Sequence, residues 1–227
     1  MSAPRLSVVI PTLNEGETLR ATIAAARSSD VELVVVDGGS TDGTLAVADE
    51  LADRVLTSSR GRAIQLNAGA RATVGDVLLF LHADTLLPTG YVVAVRTALA
   101  DPACVGGRFD VTLDADGKAY RVIERLINLR SRLTGIATGD QAMFVQRAVF
   151  DALGGFPNLP LMEDLALSRK LKQSGHVAAL RARVVSSARR WQRHGVVRTV
   201  LLMWLLRAAY YLGVSPLYLA RIYSSAR

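Results

Sequence analysis

The chain has 227 residues, half of them hydrophobic, a formal net charge of +7 and a single cysteine, Cys104. That length suits one sizeable core or a domain with an appendage; a lone cysteine excludes an intrachain disulfide and agrees with a reducing compartment. The basic excess is local, because residues 181–227 carry nine Arg and no Asp, Glu or Lys, leaving the first 180 residues at net −2.

Residues 6–10, LSVVI, read as a strand buried on both faces and ended by Pro11, which offers no amide to a ladder. This apolar run is far too short for a secretory signal, so the expected location is cytoplasmic. Asn14 and Glu17 have the spacing of a capping box, opening a helix to about Ala26. VELVVV at 31–36 is a second buried strand, stopping at Asp37. The loop GGSTDGT follows, where Asp42 or Thr41 is placed to cap a helix to about Ala52. RVLTS at 54–58 is a short third strand, and GRAIQLNAGARAT carries a helix into the fourth strand, which opens DVLLFLHAD at 76–84. Strands alternating with helices predict an α/β fold on a parallel, doubly wound sheet.

Beyond Pro88 a helix is expected to Leu99, then a strand over Val105–Leu113. Residues 118–134 form a basic amphipathic helix, with Val122, Ile123, Leu126, Ile127 and Leu133 on one side and Arg121, Arg125 and Arg132 on the other. QAMFV at 141–145 reads as a strand, and Ala148–Leu153 as a helix stopped by Gly154 and Gly155. LMEDLALSRKLKQSG holds a helix ending at Gly175, and 177–187 a last strand. From Thr199 to Ala220 the tail has one charge, Arg207. A spanning helix would place Arg207 near mid-membrane at a cost of about 2.5–3.5 kcal/mol, and Gly213 and Pro216 break the run. The expectation is a monotopic anchor or docked hairpin, resting on the inner face of an anionic membrane, on the protein's own body or on a second copy. No nucleic-acid motif is present, and the aromatics lie in an apolar run, which argues against nucleic acid as a partner.

Three strand ends carry polar groups toward one crevice: PTLNE at 11–15, DGGSTDGT at 37–44 and HAD at 82–84. In open α/β sheets, ligands bind beyond the carboxyl ends of the strands. In an extended chain His82 and Asp84 point to the same side and face one ligand, a divalent cation with a diphosphate. Asp37 can accept a hydrogen bond from a base, with Gly38 and Gly39 allowing close approach. The spacing of Gly38 and Gly43 resembles a Walker loop, but Thr44 stands where Lys is required, and no GxGxxG follows the first strand. Glu163 and Asp164 begin a helix whose inward stripe runs through Leu167 and Leu171, so Asp164 is aimed at a cleft as a general base.

SVVIPTLNE, VVVDGGSTDGT, RGRAIQLNAGA, LFLHAD, GDQAMFV, GGFP and LMEDLALSRKL, in this order over about residues 6–190, resemble the family 2 glycosyltransferases. RGRAIQLNAGA, LFLHAD, GDQ and SARRW carry a finer resemblance to the bacterial arsenosugar-biosynthesis glycosyltransferases. The resemblance implies a GT-A fold, a Rossmann-like, mostly parallel sheet flanked by helices. It divides the chain into a catalytic domain over 1–190, with a nucleotide-sugar half (1–115) and an acceptor half (116–190), and a basic apolar helical tail over 191–227. It implies an inverting transfer from a nucleoside-diphosphate sugar, by family habit a UDP-sugar, to the hydroxyl of a lipid or small molecule. Pro11, Thr12, Asn14 and Glu15 would line the nucleoside pocket with Asp37, Gly38 and Ser40, and Arg62 and Asn67 would sit near the sugar or diphosphate. His82, Ala83 and Asp84 replace the family's DxD; Asp84 is the metal carboxylate for Mg²⁺ or Mn²⁺, and His82 departs from the pattern. Asp164 matches the base, with Gly139, Asp140, Gln141, Glu163 and Trp191 by the acceptor and His194 as a further metal ligand. A nucleotidyltransferase on a related sheet and a catalytically silent sugar-nucleotide binder are the competing readings; the first would want a glycine-rich basic loop where PTLNE stands.

Overall fold

The computed structural model describes residues 4–225; residues 226 and 227 of the predicted tail lie outside the described residues. Among these, eight strands form one sheet: β1 (Leu6–Thr12), β2 (Val31–Asp37), β3 (Arg54–Thr57), β4 (Val77–Phe80), β5 (Thr85–Leu86), β6 (Cys104–Leu113), β7 (Met143–Gln146) and β8 (His176–Ser186). Their order is β3-β2-β1-β4-β7-β6-β8-β5. The first four are parallel, as strand–helix alternation predicts, and are connected through α1 (Gly16–Ala26), α2 (Thr44–Leu51) and α3 (Arg62–Ala72). The wholly parallel sheet does not extend further. β7 is antiparallel to β4 and β6, and β5 is antiparallel to β8, while β6 and β8 are parallel. Strand direction there depends on how the chain returns after α4 (Tyr91–Leu99) and α5 (Lys118–Thr134), which the composition of a four-residue strand does not record.

Alternation puts successive residues of the central strands into two cores. Val8, Ile10, Leu33, Val35, Leu79 and Leu81 fill one. Val9, Val34, Val36, Leu78 and Phe80 fill the other, which also takes side chains from α3, α6 (Arg147–Ala152) and α7 (Glu163–Ser174). In that second core Phe80 meets Phe150 and Phe156 at ring separations of 5.1 and 4.8 Å. Burial on both faces is why these strands read as unbroken apolar runs.

Four local expectations are corrected. β1 does not stop at Pro11 but pairs with β2 as far as Thr12–Asp37. Pairing with β4 ends at Val9–Phe80, so one flank of β1 needs no amide from the proline. The Asn14–Glu17 capping box is not formed: Asn14 lies in the left-handed region (φ 56°), and its Oδ1 accepts from the Thr41 amide instead. Residues 139–141 are a 3-10 turn, not the start of a strand, and β7 begins only after Ala142 at φ 46°. Asp42 is not the cap of α2 either: the N-cap is Gly43, without a side-chain cap, and Asp42 one residue earlier accepts from the Thr44 amide at 2.9 Å.

The tail forms α8 (Arg189–His194), α9 (Val196–Tyr211) and α10 (Pro216–Ser225). Leu206 and Leu219 are buried against Ile136, Met162 and Leu165, so the hairpin docks on the body beside the start of α7. Only one face is covered: Leu201, Trp204 and Leu205 on α9 are all more than 60% exposed. Among the described residues, no helix is long and apolar enough to cross a membrane.

Candidate active site

The ends of β1 and β2 are tied into one rigid corner. Asp37 is wholly buried; its Oδ2 accepts from the amides of Gly39 and Ser40, both at 2.8 Å, and its Oδ1 from the hydroxyls of Thr12 and Ser40. Burial works against its charge, but the Ser40 hydroxyl and amide, then the Gly39 amide and Thr12, hold the carboxyl below its usual range. All four lone-pair directions are thus taken, three by the loop and one by Thr12 at the end of β1. The Asn14 amide donates to Ser40 Oγ and the Glu15 amide to Thr44 Oγ1, closing PTLNE onto DGGSTDGT. Gly38 permits a close approach, but the approaching group is Gln65, 3.1 Å from where a Cβ would stand. Gln65 Nε2 donates to the carbonyls of Thr12 and Val36.

At the end of β4 the chain does not stay extended. The Thr85 amide donates to the His82 carbonyl, making a turn, so the same-side rule for i and i+2 does not apply. His82 lines a small cavity with Arg62, Leu66, Phe156, Gly139, Glu163 and Asp164, roomy enough for about one water. Asp84 faces Arg189, with Nη2 3.3 Å from its Oδ2 and 2.6 Å from Glu15 Oε2. Ala83 is buried, and its carbonyl accepts from Thr22; it presents nothing to a ligand.

The other wall of the cavity comes from α7 and the 139–141 turn. Met162 precedes α7 in the left-handed region (φ 70°), and with Asn14 and Ala142 it makes three strained non-glycine residues among those described. All three adjoin segments of this site. Asp164 Oδ2 accepts from the Gly139 amide at 2.8 Å and Oδ1 from Leu165, leaving one lone pair on each oxygen. A Cβ on residue 139 would come within 2.4 Å of His82 Nε2, so glycine is what lets this turn sit on the imidazole. Glu163 is buried and pairs with Arg62 at 3.2 Å. Burial pushes the Glu163 carboxyl up, Arg62 pulls it back, and Asp164 adds to the rise. Burial opposes the charge on Arg62, but Glu163, Asp164 and Asp140 outweigh it and hold the guanidinium above its usual range. His82 is held down to about 4, first by burial and then by Arg62, against Asp84, Asp140 and Asp164; at neutral pH it is an uncharged imidazole.

Arg62, His82, Gly139, Glu163 and Asp164, from four separate segments of the sequence, therefore converge, with Asp140 beside them. Other expected residues are employed elsewhere. Asn67 spends both ends of its amide on the backbone of Phe156, tying α3 to the GGFP turn. Gln141 points inward, its Oε1 accepting from Thr138 and its Nε2 donating to the Phe109 carbonyl. Trp191 packs on the cluster of Leu113, Ile123 and Ala188. His194 lines a different cavity with Arg190 and Arg198, whose charges disfavour a cation. Pro11 is half-buried at the rim of the corner. The sequence reading missed Gln65 and Arg189; the paired arginines of SARRW were the available signal for the second.

The profile described as Glycosyl transferase family 2 matches residues 7–153, more than half of the chain. A PGL/p-HBAD biosynthesis glycosyltransferase of Mycobacterium bovis (strain BCG / Pasteur 1173P2) is 41% identical over 97 residues, 38% of each chain. Glycosyltransferase AglE of Haloferax volcanii is 27% identical over 173 residues, 68% of this chain and 57% of that one. Among solved structures, the mannosyltransferase PcManGT from Pyrobaculum calidifontis, in complex with GDP-Man and Mn²⁺, superposes with a TM-score of 0.68 at 24% identity, over 93% of this chain and 62% of that one. The chain thus spans less than two thirds of the length of each of these relatives. Structural neighbours of this kind establish a GT-A architecture, a curled mixed sheet flanked by helices. With the profile match over the strand ends that build the corner, the chain belongs to glycosyl transferase family 2.

Proposed function

We propose that this glycosyltransferase works by single displacement with inversion, moving a hexose from a UDP-sugar to an acceptor hydroxyl with Asp164 as general base. The observation that carries the reading is the convergence of Arg62, His82, Gly139 and Asp164 on one cavity at the carboxyl end of β4. Asp164 keeps one free lone pair on each oxygen, and the Gly139 amide fixes its orientation. As the acceptor oxygen bonds to the anomeric carbon, its proton passes to Asp164, and the bond from that carbon to the diphosphate oxygen breaks. Arg62 lies on the same wall and favours the negative charge that builds on the leaving group. Neutral His82 donates or accepts a hydrogen bond there without adding charge. At the β1–β2 corner, Thr12 and Ser40 can rotate their hydroxyls away from Asp37 Oδ1 and free it for a base N–H.

A divalent cation fits this donor set only in one form. Among the described residues, no three His, Cys, Asp or Glu side chains are placed to hold a metal by themselves. Asp84, with Glu15 across Arg189, supplies the single carboxylate that suffices for Mg²⁺ or Mn²⁺ shared with substrate phosphates and water. Such a cation supplies charge neutralisation on the departing diphosphate. PcManGT with GDP-Man and Mn²⁺, and glucosyl-3-phosphoglycerate synthase of Mycobacterium tuberculosis with Mn²⁺ and UDP, support that choice. The exposed apolar face of α9, in an acid-free basic tail, supports a peripheral position on an anionic membrane.

Replacing Asp164 by Asn tests the central assignment. Turnover is expected to fall by about 10²–10⁴-fold, while UDP affinity in Mn²⁺, measured by calorimetry, stays within about twofold of wild type. Full turnover in the variant, or an equal loss of UDP binding, would remove Asp164 from the role of base.

A further inference from the structure

We propose that Arg130 on α5 and Arg207 on α9 form an anion-binding subsite on the acceptor side, which holds a phosphate or carboxylate group carried by the acceptor itself. The inference rests on the reading of Asp164 as the acceptor-side base. Arg130 reaches the turn that leads into the site: its Nη2 donates to Thr138 Oγ1 at 3.3 Å, and the next residue, Gly139, donates to Asp164. Its Nε is buried without a hydrogen-bond partner. Arg207 arrives from the tail. Leu206 beside it packs on Ile136, Met162 and Leu165, which brings α9 over the same turn and the start of α7. The Arg207 Nε is likewise buried and unpartnered. Among the described residues, neither guanidinium is in an ion pair.

The two arginines lie close enough to feel each other. Burial and then the charge of Arg207 hold Arg130 down to about 10, against the pull of Asp140, Asp164 and Tyr211. Asp140 does not resolve the conflict, since its own buried Oδ1 lacks a hydrogen-bond partner. Buried N–H groups without acceptors, on two like-charged side chains, are unfavourable unless something anionic is shared between them. Planar guanidiniums match the oxygens of phosphate and carboxylate. The placement also accounts for Arg207 as the one charge between Thr199 and Ala220 in an otherwise uncharged stretch. An acceptor that carries an anion near its reactive hydroxyl would be oriented by the arginines and deprotonated at Asp164. A soluble phosphomonoester and a phospholipid headgroup share that chemistry.

The full chain is titrated by calorimetry with inorganic phosphate and with glycerol 3-phosphate, and by flotation with phosphatidylglycerol and phosphatidylcholine vesicles. Wild type is compared with Arg130→Gln, Arg207→Gln, Arg207→Lys and a control, Arg20→Gln, on the exposed Arg20–Glu50 pair. Each Gln variant at the site should weaken binding by about tenfold or more, Arg207→Lys by less, and Arg20→Gln not at all. Saturable binding of either small phosphate with this pattern identifies a free phosphomonoester site. Binding confined to phosphatidylglycerol vesicles, with the same pattern, identifies a headgroup. No saturable binding by any probe, or equal losses in Arg20→Gln, overturns the proposal. Arg207→Lys retains the charge and serves where a Gln variant does not fold. UDP binding with Mn²⁺ is measured in parallel: if it is intact while the anions fail, only the subsite falls, and if wild type does not bind UDP, the transferase reading falls instead.

Discussion

The corner around Asp37 and the wall around Asp164 both hold acids at the ends of secondary-structure elements, and they hold them differently. Asp37 has every lone pair engaged, by its own loop and by Thr12 of the neighbouring strand. On the wall, Asp164 has two of four engaged, Asp140 has a buried oxygen with none, and Glu163 is pushed up by burial beside a single arginine. A carboxylate satisfied from within holds its loop in one shape, and only Oδ1, bonded to two rotatable hydroxyls, can be released to a ligand. One left short of partners is held ready for something the chain does not contain. The corner is therefore fixed from within, and the wall, on the function proposed above, is the part left to meet an acceptor.

The widest gap between the two should appear in stability. Asp37→Ala removes the acceptor of two backbone amides and two hydroxyls at a buried site and is expected to cost about 3 kcal/mol. Asp140→Ala removes an acid that makes few hydrogen bonds and should cost less than about 1 kcal/mol. Urea midpoints at constant slope report both. Equal costs would erase the distinction between scaffold and waiting acids.

A smaller effect lies in the pH dependence of the wall. His82 is held down to about 4 when folded, against 6.5 for a free histidine side chain. Between those values the unfolded chain binds the extra proton, so stability must fall as pH falls through this window. About 1–2 kcal/mol should be lost between pH 7 and pH 5. Glu163 acts with the opposite sign, because a raised carboxyl takes up its proton in the folded state first, and its contribution is relieved as pH falls. Comparing wild type with His82→Asn isolates the histidine part, and a variant with an undiminished slope would show that the imidazole is not held neutral.

These two regions were not equally legible in the sequence. The corner was readable because its signals are local: apolar runs of strand length followed by polar loop residues, PTLNE and DGGSTDGT, show which strand ends lie together, though not the last paired residue of β1. Even there, Gln65 looked like an ordinary helical residue, because its role as a clamp on Thr12 and Val36 exists only after α3 folds back over the sheet. On the wall, Asp164 could be found from its place at a helix start. That Gln141 and Asn67 turn to the backbone could not be read, since an amide that binds backbone and one that binds ligand have the same composition around them. That Trp191 and His194 lie apart from this wall could not be read for a related reason: α8 packs them beside the tail, and tail packing is a long-range event. The direction of β7 was hidden for the same cause.

The smallest expected effect concerns the seam between the regions, where Arg189 bridges Glu15 and Asp84. Its guanidinium already engages Oδ2 of Asp84, the carboxylate proposed for a cation shared with a diphosphate, and its own charge is held up chiefly by the hydrogen bond to Glu15. The arginine side chain is about half exposed, so the ion pair is screened and worth at most about 1 kcal/mol. Removing it should therefore improve Mn²⁺ binding by no more than about fivefold, since the cation no longer competes with a resident positive charge. If Arg189 instead helps to neutralise the diphosphate, Arg189→Ala will tighten Mn²⁺ when the metal is titrated alone and weaken UDP when both are present. Paired titrations of Mn²⁺ with and without UDP separate these cases. Weaker Mn²⁺ binding in the variant without nucleotide would mean that Arg189 orients Asp84 for the metal, and that this acid, too, belongs to the prearranged half of the molecule.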